Sequence, residues 1–304
     1  MSGGERSSRM DPIRSLLFVP GNRGRFLEKA RDVPADVIVP DLESGVPDPE
    51  TAKARQMIRE ALPALAKAGK RVYVRVNAID SPLIWDDLNM AISEHLTGVV
   101  LPFISSADSI RHLDDIITNL ERGKGLPFGQ VRILPFIETA LGVLRAFEIA
   151  TASTRITAIA FGAEDFTADM GVTHRADGLE LLYARHHVAI AAHAARKQAI
   201  DSPFVGIEDT AGLTADGRLA LSLGYSGKFA IHPAQVELIN TIFSPTPEEV
   251  AQARRVLQAF VKAEGEGLGT CSLDGQMIDT AIAVRAQKLI RTAESLAPRR
   301  PPPS

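Results

Sequence analysis

Two short apolar runs in this chain each end abruptly in acidic residues. Residues 133–137 are followed by Glu138, and residues 159–163 are followed by Glu164 and Asp165. An uninterrupted apolar run of this length predicts a strand buried on both faces. Because a lone carboxylate is costly to bury, we expect these acids to lie at the strand ends, facing one shared polar cavity.

The donor atoms of these acids indicate a metal site. Carboxylates from successive strands of a parallel sheet can hold one divalent cation, and Glu138 with Asp165 would form such a pair. An all-oxygen site with two carboxylates suits Mg²⁺, which keeps several waters and takes further ligands from the substrate. The alternative is that the two acids cap the helices that follow the strands.

Further charged residues follow the predicted second and third strands. Asp41 and Glu43 come after the second strand, where they either support the metal or simply end the strand before a turn. In the third strand Arg75 alternates with three valines, so it points into a barrel if the valines face outer helices. An inward arginine among several acids at one end of a barrel indicates a functional cluster.

Three other segments contain residues that could bind or react. Arg23 and Arg25 lie in a glycine-bearing loop that leads into a helix, an arrangement that suits a phosphate group. His232 is either an acid/base group or a structural residue, and the proline after it favours the structural interpretation. Asp274 belongs to an Asp-Gly pair, which is a common turn, but it could also close over a site and transfer a proton.

The composition is that of a globular protein with a sizeable core, since 45% of the 304 residues are hydrophobic and 23% are charged. The net charge of −3 gives no indication of nucleic-acid binding. The single cysteine, Cys271, cannot form an intramolecular disulfide, which fits a reducing compartment. No apolar run approaches the roughly 20 residues of a membrane span. We therefore expect a soluble cytoplasmic protein with neither a nucleic-acid nor a membrane partner.

Eight candidate strands alternate with helical segments, and this framework would position the polar residues. A regular β/α alternation predicts parallel strands with right-handed crossovers, and eight units favour a TIM (β/α)8 barrel over an open doubly wound sheet. In such a barrel, chemistry concentrates at the C-terminal ends of the strands. The predicted strands are 15–19, 36–39, 71–76, 98–101, 131–137, 157–161, 204–207 and 228–231, and the main predicted helices are 23–31, 50–67, 106–120 and 179–199.

The chain after residue 243 differs from the barrel. Residues 246–249 form a capping box with proline at the first helical position, and a second helix ends near residue 296. We predict a tail over 1–12, a barrel over 13–243, a C-terminal helical lid extension over 244–296 and a Pro/Arg tail over 297–304. The extension looks too small to form a core of its own.

The motifs together resemble those of one known family. The chain resembles the citrate lyase β-subunit-like family of the HpcH/HpaI aldolase superfamily, relatives of the malyl-CoA and citramalyl-CoA lyases. One position departs from the family pattern, because Ser44 stands where the family usually has a second acid. The matching segments follow the family's order and are 14–22, 41–43, 74–77, 137–140, 161–166, 227–233 and 273–279.

The resemblance implies a TIM barrel that forms a homo-oligomer, either a trimer or a hexamer built from trimers. It implies that Glu138 and Asp165 bind Mg²⁺, with Mn²⁺ as an alternative ion, and that Arg75, beside Glu43, stabilises the carbonyl and enolate oxygens. It also implies that Asp274 reaches the site of a neighbouring subunit as the general acid/base. The candidates for holding the phosphates of coenzyme A are Arg14, Arg23, Arg25 and Lys228.

The reaction implied is a reversible Claisen-type cleavage of a 3-hydroxyacyl-CoA, of the malyl-CoA or citramalyl-CoA type. The products would be acetyl-CoA and a 2-oxo acid, either glyoxylate or pyruvate. Two alternatives use the same scaffold: a thioesterase that releases free coenzyme A from a malyl-type thioester, and a pyruvate-type aldolase that works without coenzyme A. A non-catalytic subunit is a further alternative, which the set of acids with Arg75 disfavours.

Overall fold

The structure is a computed structural model that describes residues 12–175 and 177–297. The chain divides into two compact units, one formed by Ile13–Thr241 and one that contains the chain from Ile242 onward. The predicted terminal tails lie outside the described residues, apart from Pro12 and Ala297. Among the described helices, none is long and apolar enough to cross a membrane.

The first unit contains a closed barrel of eight parallel strands, which confirms the predicted TIM-type fold. The strands follow one another around the barrel in chain order, and the first strand pairs with the last to close it. The strands are β1 (Ser15–Pro20), β2 (Val37–Asp41), β3 (Arg71–Arg75), β4 (Gly98–Leu101), β5 (Arg132–Ile137), β6 (Ala158–Phe161), β7 (Gln198–Asp201) and β8 (Gly227–Ala230).

Helices connect the strands, as the alternating pattern predicts. They bury one apolar face each; in the fourth helix Ile110, Leu113 and Ile117 recur at intervals of three and four residues and are all buried. The helices of this unit are α1 (Gly24–Lys29), α2 (Thr51–Lys67), α3 (Ile84–Ala91), α4 (Ala107–Gly123), α5 (Ala140–Leu144), α6 (Ala146–Thr151), α7 (Ala163–Met170), α8 (Leu179–Ala194), α9 (Thr210–Leu223) and α10 (Pro233–Ile242).

The barrel interior is a packed apolar core to which all eight strands contribute. Because side chains alternate along a strand, every second residue faces inward. Phe18, Phe136 and Phe229 meet inside the barrel, and the rings of Phe18 and Phe229 stack with their centroids 4.6 Å apart. Tyr73 belongs to the same interior cluster, so Arg75, two residues further along β3, extends from the inward face.

The seventh strand is the one whose predicted position was wrong. It is β7 at Gln198–Asp201, whereas residues 204–207 form a loop between β7 and α9. The sequence misleads here because the alanine-rich helix α8 ends at Ala194, earlier than predicted, and the strand itself contains one β-branched residue. The correction places Asp201 at the C-terminal end of β7 and Ser202 directly after it.

The second unit consists of two helices and a β-hairpin. Helix α11 (Pro247–Gly265) begins with the predicted capping box, and α12 (Thr280–Leu296) is capped by Asp279. Strands β9 (Cys271–Leu273) and β10 (Gln276–Ile278) pair antiparallel. The expectation that this segment lacks a core of its own was wrong, because the following residues form a buried apolar cluster: Ala253, Val256, Phe260, Ile278, Ala283 and Ala286.

Candidate active site

Arg75 lies at the C-terminal end of the barrel in a cradle of oxygen atoms. Its Nε and Nη2 each lie 2.6 Å from the two carboxylate oxygens of Asp41, a bidentate pair, and Nη2 also donates to Ser44 Oγ at 2.6 Å. Its Nη1 lies 2.9 Å from Glu43 Oε2 and donates no hydrogen bond to the described residues. Nε and Nη2 are thus held by hydrogen bonds, and Nη1 is held by an ion pair.

Two contacts fix the position of Arg75, and its neighbours keep it charged. Its guanidinium carbon lies 4.5 Å from the ring centroid of Phe18, a cation–π contact, so the inward orientation predicted from the valine alternation is observed. Asp41 is held in turn by the backbone N–H groups of Glu43 and Gly45. Burial alone would lower the pKa of Arg75, but the carboxylates of Asp41 and Glu43 outweigh it, so the pKa rises and the charge is permanent.

Glu138 follows β5 and is only 1% exposed. Its Oε2 accepts a hydrogen bond from the backbone N–H of Phe103 at 2.9 Å, whereas Oε1 accepts none from the described residues. Gly162, which follows β6, makes room for this carboxylate. A Cβ at position 162 would lie 2.5 Å from Glu138 Cγ and 2.7 Å from Oε1.

Burial raises the pKa of Glu138 to about 8. The carboxylates of Asp165 and Glu43 add to the rise, while the Phe103 N–H and the Arg75 charge oppose it. Asp165 stands in the first turn of α7 and is half-buried. The start of that helix is anchored where the Ala163 N–H donates to Ser202 Oγ at 2.9 Å.

The capping alternative for these two acids was wrong. The N-cap of α5 is Thr139, whose hydroxyl accepts from the Gly142 N–H at 3.0 Å, and the N-cap of α7 is Gly162. Glu138 and Asp165 are thus left without a capping role.

The donor set fits a divalent cation. Glu138 and Asp165 present carboxylate oxygens close enough to interact electrostatically, and Glu138 Oε1 is unengaged by the described residues. One arginine faces four acids here, so the cluster carries excess negative charge that a divalent cation would offset. No group of three or more His, Cys, Asp or Glu side chains suited to a metal occurs within the described residues.

Phe103 is a contributor that sequence reasoning missed. It has a left-handed backbone, with φ of 54°, which is unfavourable for a bulky residue. That conformation accompanies the hydrogen bond from its N–H to Glu138. A positive φ at a non-glycine residue has no sequence signal, so the structure alone reveals it.

The four predicted phosphate-binding residues fall into three different places. Arg23 and Arg25 are exposed in and just after the loop that follows β1, at the C-terminal end of the barrel. Arg14 precedes β1, at the opposite end of the barrel, and pairs with Asp36. That position argues against the predicted phosphate contact.

Lys228 is buried in ion pairs and does not face solvent, where a phosphate could reach it. It is 1% exposed, and its Nζ lies 2.5 Å from carboxylate oxygens of both Asp201 and Asp216. It alternates with the inward-facing Phe229 and so faces the surrounding helices. A lysine held in this way is placed for structure, which argues against a phosphate contact.

Asp274 belongs to the second unit. It forms the turn of the β9–β10 hairpin with Gly275, with φ of 51° and 78° at the two residues. Positive φ at both positions is what a two-residue hairpin turn requires, and Asp-Gly supplies it. The Asp274 carboxylate is about half exposed and pairs with Arg255 at 2.8 Å.

Comparison with known proteins identifies similar chains. The family described as HpcH/HpaI aldolase/citrate lyase matches residues 14–233. The citrate lyase subunit beta of Leuconostoc mesenteroides subsp. cremoris is 36% identical over 93% of each chain. The L-malyl-CoA/beta-methylmalyl-CoA lyase of Cereibacter sphaeroides is 34% identical over 94% of this chain and 96% of that protein.

A solved structure resembles the chain over nearly its full length. The protein CitE from Mycobacterium tuberculosis, in complex with magnesium, acetoacetate and coenzyme A, is 29% identical and gives a TM-score of 0.76. The match covers 93% of this chain and 98% of that chain.

Proposed function

We propose that this chain, which belongs to the HpcH/HpaI aldolase/citrate lyase family, is a Mg²⁺-dependent carbon–carbon lyase. Its reaction is the reversible Claisen-type cleavage of a 3-hydroxyacyl-CoA, of the malyl-CoA or citramalyl-CoA type, into acetyl-CoA and a 2-oxo acid. The observation that carries the proposal is the pair Glu138 and Asp165 beside the buried arginine Arg75. A similar lyase and a similar structure with magnesium and coenzyme A support it.

Glu138 and Asp165 would hold the metal ion, with Gly162 leaving the space that the Glu138 side chain needs. When bound, Mg²⁺ supplies a Lewis acid for the oxygens of the 2-oxo acid. Glu138 must ionise to bind it, because a metal ligand has to be deprotonated. The pKa of about 8 therefore describes the metal-free protein.

Arg75 would stabilise the negative charge that develops on the thioester oxygen. When the C2–C3 bond of the substrate breaks, its electron pair passes to C2 and forms the enolate of acetyl-CoA. The hydroxyl gives its proton to solvent water, and its oxygen becomes the carbonyl oxygen of the 2-oxo acid. A fixed donor aimed at a developing oxyanion costs no reorganisation during the reaction. In this role Asp41, Glu43 and Ser44 are positioning residues, since Asp41 and Ser44 bind Nε and Nη2 and Glu43 lies 2.9 Å from Nη1.

Asp274 is proposed as the general acid that protonates the new methyl carbon of acetyl-CoA, and as the base in the reverse direction. Its tip position on the β9–β10 hairpin and its half-exposed carboxylate support this role. We also propose a homo-oligomer, a trimer or hexamer, in which Asp274 serves the site of a neighbouring subunit. Mixing an inactive Arg75→Ala variant with an inactive Asp274→Ala variant tests this, because activity returns in mixed oligomers if Asp274 works between subunits.

Coenzyme A would bind along the β1–α1 loop, where Arg23 and Arg25 are exposed near the C-terminal end of the barrel. Guanidinium groups recognise phosphate oxygens through paired hydrogen bonds. Arg14 and Lys228 are not part of this proposal, because one lies at the opposite end of the barrel and the other is buried in ion pairs.

The experiment that tests the function is a condensation assay. Purified protein is incubated with Mg²⁺, acetyl-CoA and either glyoxylate or pyruvate, and new acyl-CoA species are followed by mass spectrometry. A product whose mass equals the sum of acetyl-CoA and one acid would establish both the reaction and the 2-oxo acid. The Glu138→Ala variant should give no product, whereas Glu148→Ala, which removes an exposed acid of α6, should retain it.

Two other outcomes would favour the alternatives. Release of free coenzyme A without a condensed species would indicate the thioesterase. No change in acetyl-CoA with either acid would contradict the lyase, and cleavage of a free hydroxy-oxo acid would then identify the aldolase that works without coenzyme A.

A further inference from the structure

A buried carboxylate that the proposed reaction does not use holds the residue that follows β3 and its neighbour. Asp87 of α3 is fully buried. Its Oδ2 accepts from the backbone N–H of Asn77 at 2.9 Å and from Asn77 Nδ2 at 2.7 Å, and its Oδ1 accepts from Arg55 Nε at 2.7 Å. Asp87 therefore fixes both the backbone and the side chain of Asn77.

The side chain of Asn77 also holds the segment that follows β2. Asn77 Nδ2 donates to the carbonyl oxygen of Leu42 at 3.2 Å, and this is the one hydrogen bond that this oxygen accepts from the described residues. Leu42 is 1% exposed, so water has little access to its carbonyl group. Loss of the Asn77 amide would therefore leave a buried backbone acceptor without a donor.

The segment around Leu42 is the one that surrounds Arg75. Asp41 and Glu43 both pair with the Arg75 guanidinium, at 2.6 and 2.9 Å. Leu42 stands between these two acids, and its N–H donates to the carbonyl oxygen of Arg75 at 2.9 Å. The backbone that carries both acids is thus fixed by two hydrogen bonds of Leu42, one through its N–H and one through its carbonyl oxygen to Asn77.

An amide is the side chain that these contacts require at position 77. Both partners of Asn77 Nδ2 are acceptors, a carboxylate and a carbonyl, and the NH2 group carries two hydrogens, one for each. An ionised aspartate would have no donor, and a serine hydroxyl would have one. The residue type is therefore matched to the two parts of the chain that it joins, α3 and the segment after β2.

We propose that Asn77 is a positioning residue for the reaction, because through Leu42 it sets the positions of the two acids that orient Arg75. Asp87 holds Asn77 for this purpose. The inference rests on the proposed function, in which Arg75 stabilises the developing oxyanion. It assigns to Asn77 no contact with the substrate.

Steady-state kinetics on a double-mutant cycle test this role, with Mg²⁺, acetyl-CoA and the 2-oxo acid that condenses with it. Asn77→Ala should lower kcat roughly tenfold, because a small misplacement of a group that acts on the transition state is costly. The KM for acetyl-CoA should change little, since the weakened interaction is made in the transition state. In an Arg75→Lys background, which lacks the forked contacts with Asp41, Asn77→Ala should lower kcat less than about twofold.

Ser153→Ala is the matched control. Ser153 is buried ahead of β6, at the opposite end of the barrel, where its hydroxyl accepts from the Arg155 N–H at 3.0 Å and donates to Asp114. Like Asn77, it joins two separate parts of the chain. Its replacement should leave kcat per folded molecule unchanged in both backgrounds. Thermal unfolding of every variant gives the folded fraction by which the rates are divided.

The Asn77→Ala variant keeps most of the buried network. Asp87 retains two of its three N–H partners, the Asn77 backbone N–H and Arg55 Nε, so the variant is expected to fold. Asn77→Ser is a second variant that leaves a smaller void. Its single hydroxyl proton cannot serve both acceptors, so it should show the same loss of kcat and the same dependence on the background.

The outcomes separate the inference from the function on which it rests. A loss of kcat that is equal in the two backgrounds, a change in KM alone, or no loss in either Asn77 variant would overturn the assignment of Asn77 while the lyase stands. A wild-type protein that condenses acetyl-CoA with neither glyoxylate nor pyruvate would overturn the function, and this inference with it. A loss confined to proteins that retain Arg75, with Ser153→Ala unchanged, would support both.

Discussion

Two buried clusters of charge occupy the barrel unit, and they differ in balance. Around β7 and β8, Arg185 and Lys228 face Asp201 and Asp216, so two cations meet two anions. At the barrel mouth Arg75 faces Asp41, Glu43 and Glu138, and Glu138 in turn interacts with Asp165. Both clusters are buried, and burial therefore does not distinguish a reactive cluster from a structural one.

The difference lies in what remains unsatisfied. In the β7–β8 cluster Arg185 makes a bidentate pair with Asp201, at 2.7 and 2.8 Å, and the two cations and two anions neutralise one another. In the mouth cluster the charge is uneven, Arg75 Nη1 donates no hydrogen bond to the described residues and Glu138 Oε1 accepts none. Within the described residues this cluster keeps an unused carboxylate oxygen, as the proposed metal site requires.

The largest effect is expected for Glu138→Gln, the change that most directly breaks the mouth cluster. A Lewis-acid metal contributes several kcal/mol to such a reaction, so the condensation rate should fall on the order of 10³-fold or more. Initial rates at saturating Mg²⁺ measure this loss, with Glu148→Gln as the exposed-acid control. A rate within tenfold of wild type would show that Glu138 is not a metal ligand.

Asp201→Asn should break the balanced cluster instead. Removing one partner of a buried ion network leaves uncompensated charge and costs about 3–5 kcal/mol. Urea denaturation should show a lower free energy of unfolding, with the rate per folded molecule unchanged. Asp115→Asn, at an exposed site on α4, is the control and should leave the unfolding free energy unaltered. A loss of activity without a loss of stability would contradict the structural role of Asp201.

A pair of arginine substitutions sharpens the comparison. Lysine cannot reproduce the forked contacts of arginine, so Arg75→Lys should lower kcat roughly 10²-fold, as for removal of one oxyanion donor. Arg185→Lys should leave kcat unchanged and lower the midpoint of thermal unfolding. Steady-state kinetics and thermal melts on both variants measure these effects, and the reverse pattern would exchange the roles assigned to the two clusters.

The last effect concerns pH and the metal-free protein. In Glu138 the folded-state pKa of about 8 lies above the ordinary value of 4.5, so between these pH values the unfolded chain loses its proton first and the folded state loses stability. Glutamine does not titrate. In the presence of a chelator, the free energy of unfolding of Glu138→Gln should therefore increase relative to that of the wild type as the pH rises from 4.5 to 8. The gain should be on the order of 4 kcal/mol, since the two pKa values differ by roughly 3.5, each pKa unit corresponds to about 1.4 kcal/mol, and the group is half-titrated at both ends of this range.

Thermal unfolding in chelator at pH 4.5, 6 and 8 follows this gain. A difference that is constant across the three pH values would show that the Glu138 carboxyl titrates normally. Addition of Mg²⁺ at pH 8 should reverse the order, because the ion stabilises the wild-type protein and not the variant.

Much of this arrangement could be predicted from the sequence, because it follows from strand periodicity. The runs that precede Glu138 and Glu164 are apolar throughout, and the alternation around Arg75 predicts its inward direction. The same alternation applied to β8 separates Lys228 from Phe229 and would have placed the lysine outside the barrel.

Other features had no local signal. The strand Gln198–Asp201 is short and contains alanine, so the predicted helix 179–199 extends over its first two residues. The positive φ of Phe103, the link from Asp87 to Asn77 and the enclosure of Lys228 by Asp216 depend on contacts between distant segments. Such contacts are set by tertiary packing, which single-residue propensities do not encode.

The missing side chain at Gly162 has a consequence for how this protein tolerates change. Any larger residue there would overlap Glu138, since its first carbon would already lie 2.5 Å from Glu138 Cγ. Saturation mutagenesis with selection for activity should therefore rank position 162 with the acids in its intolerance, although it contributes no polar side chain. The site therefore depends on the absence of a side chain at position 162. A substitution there would require the Glu138 side chain to move.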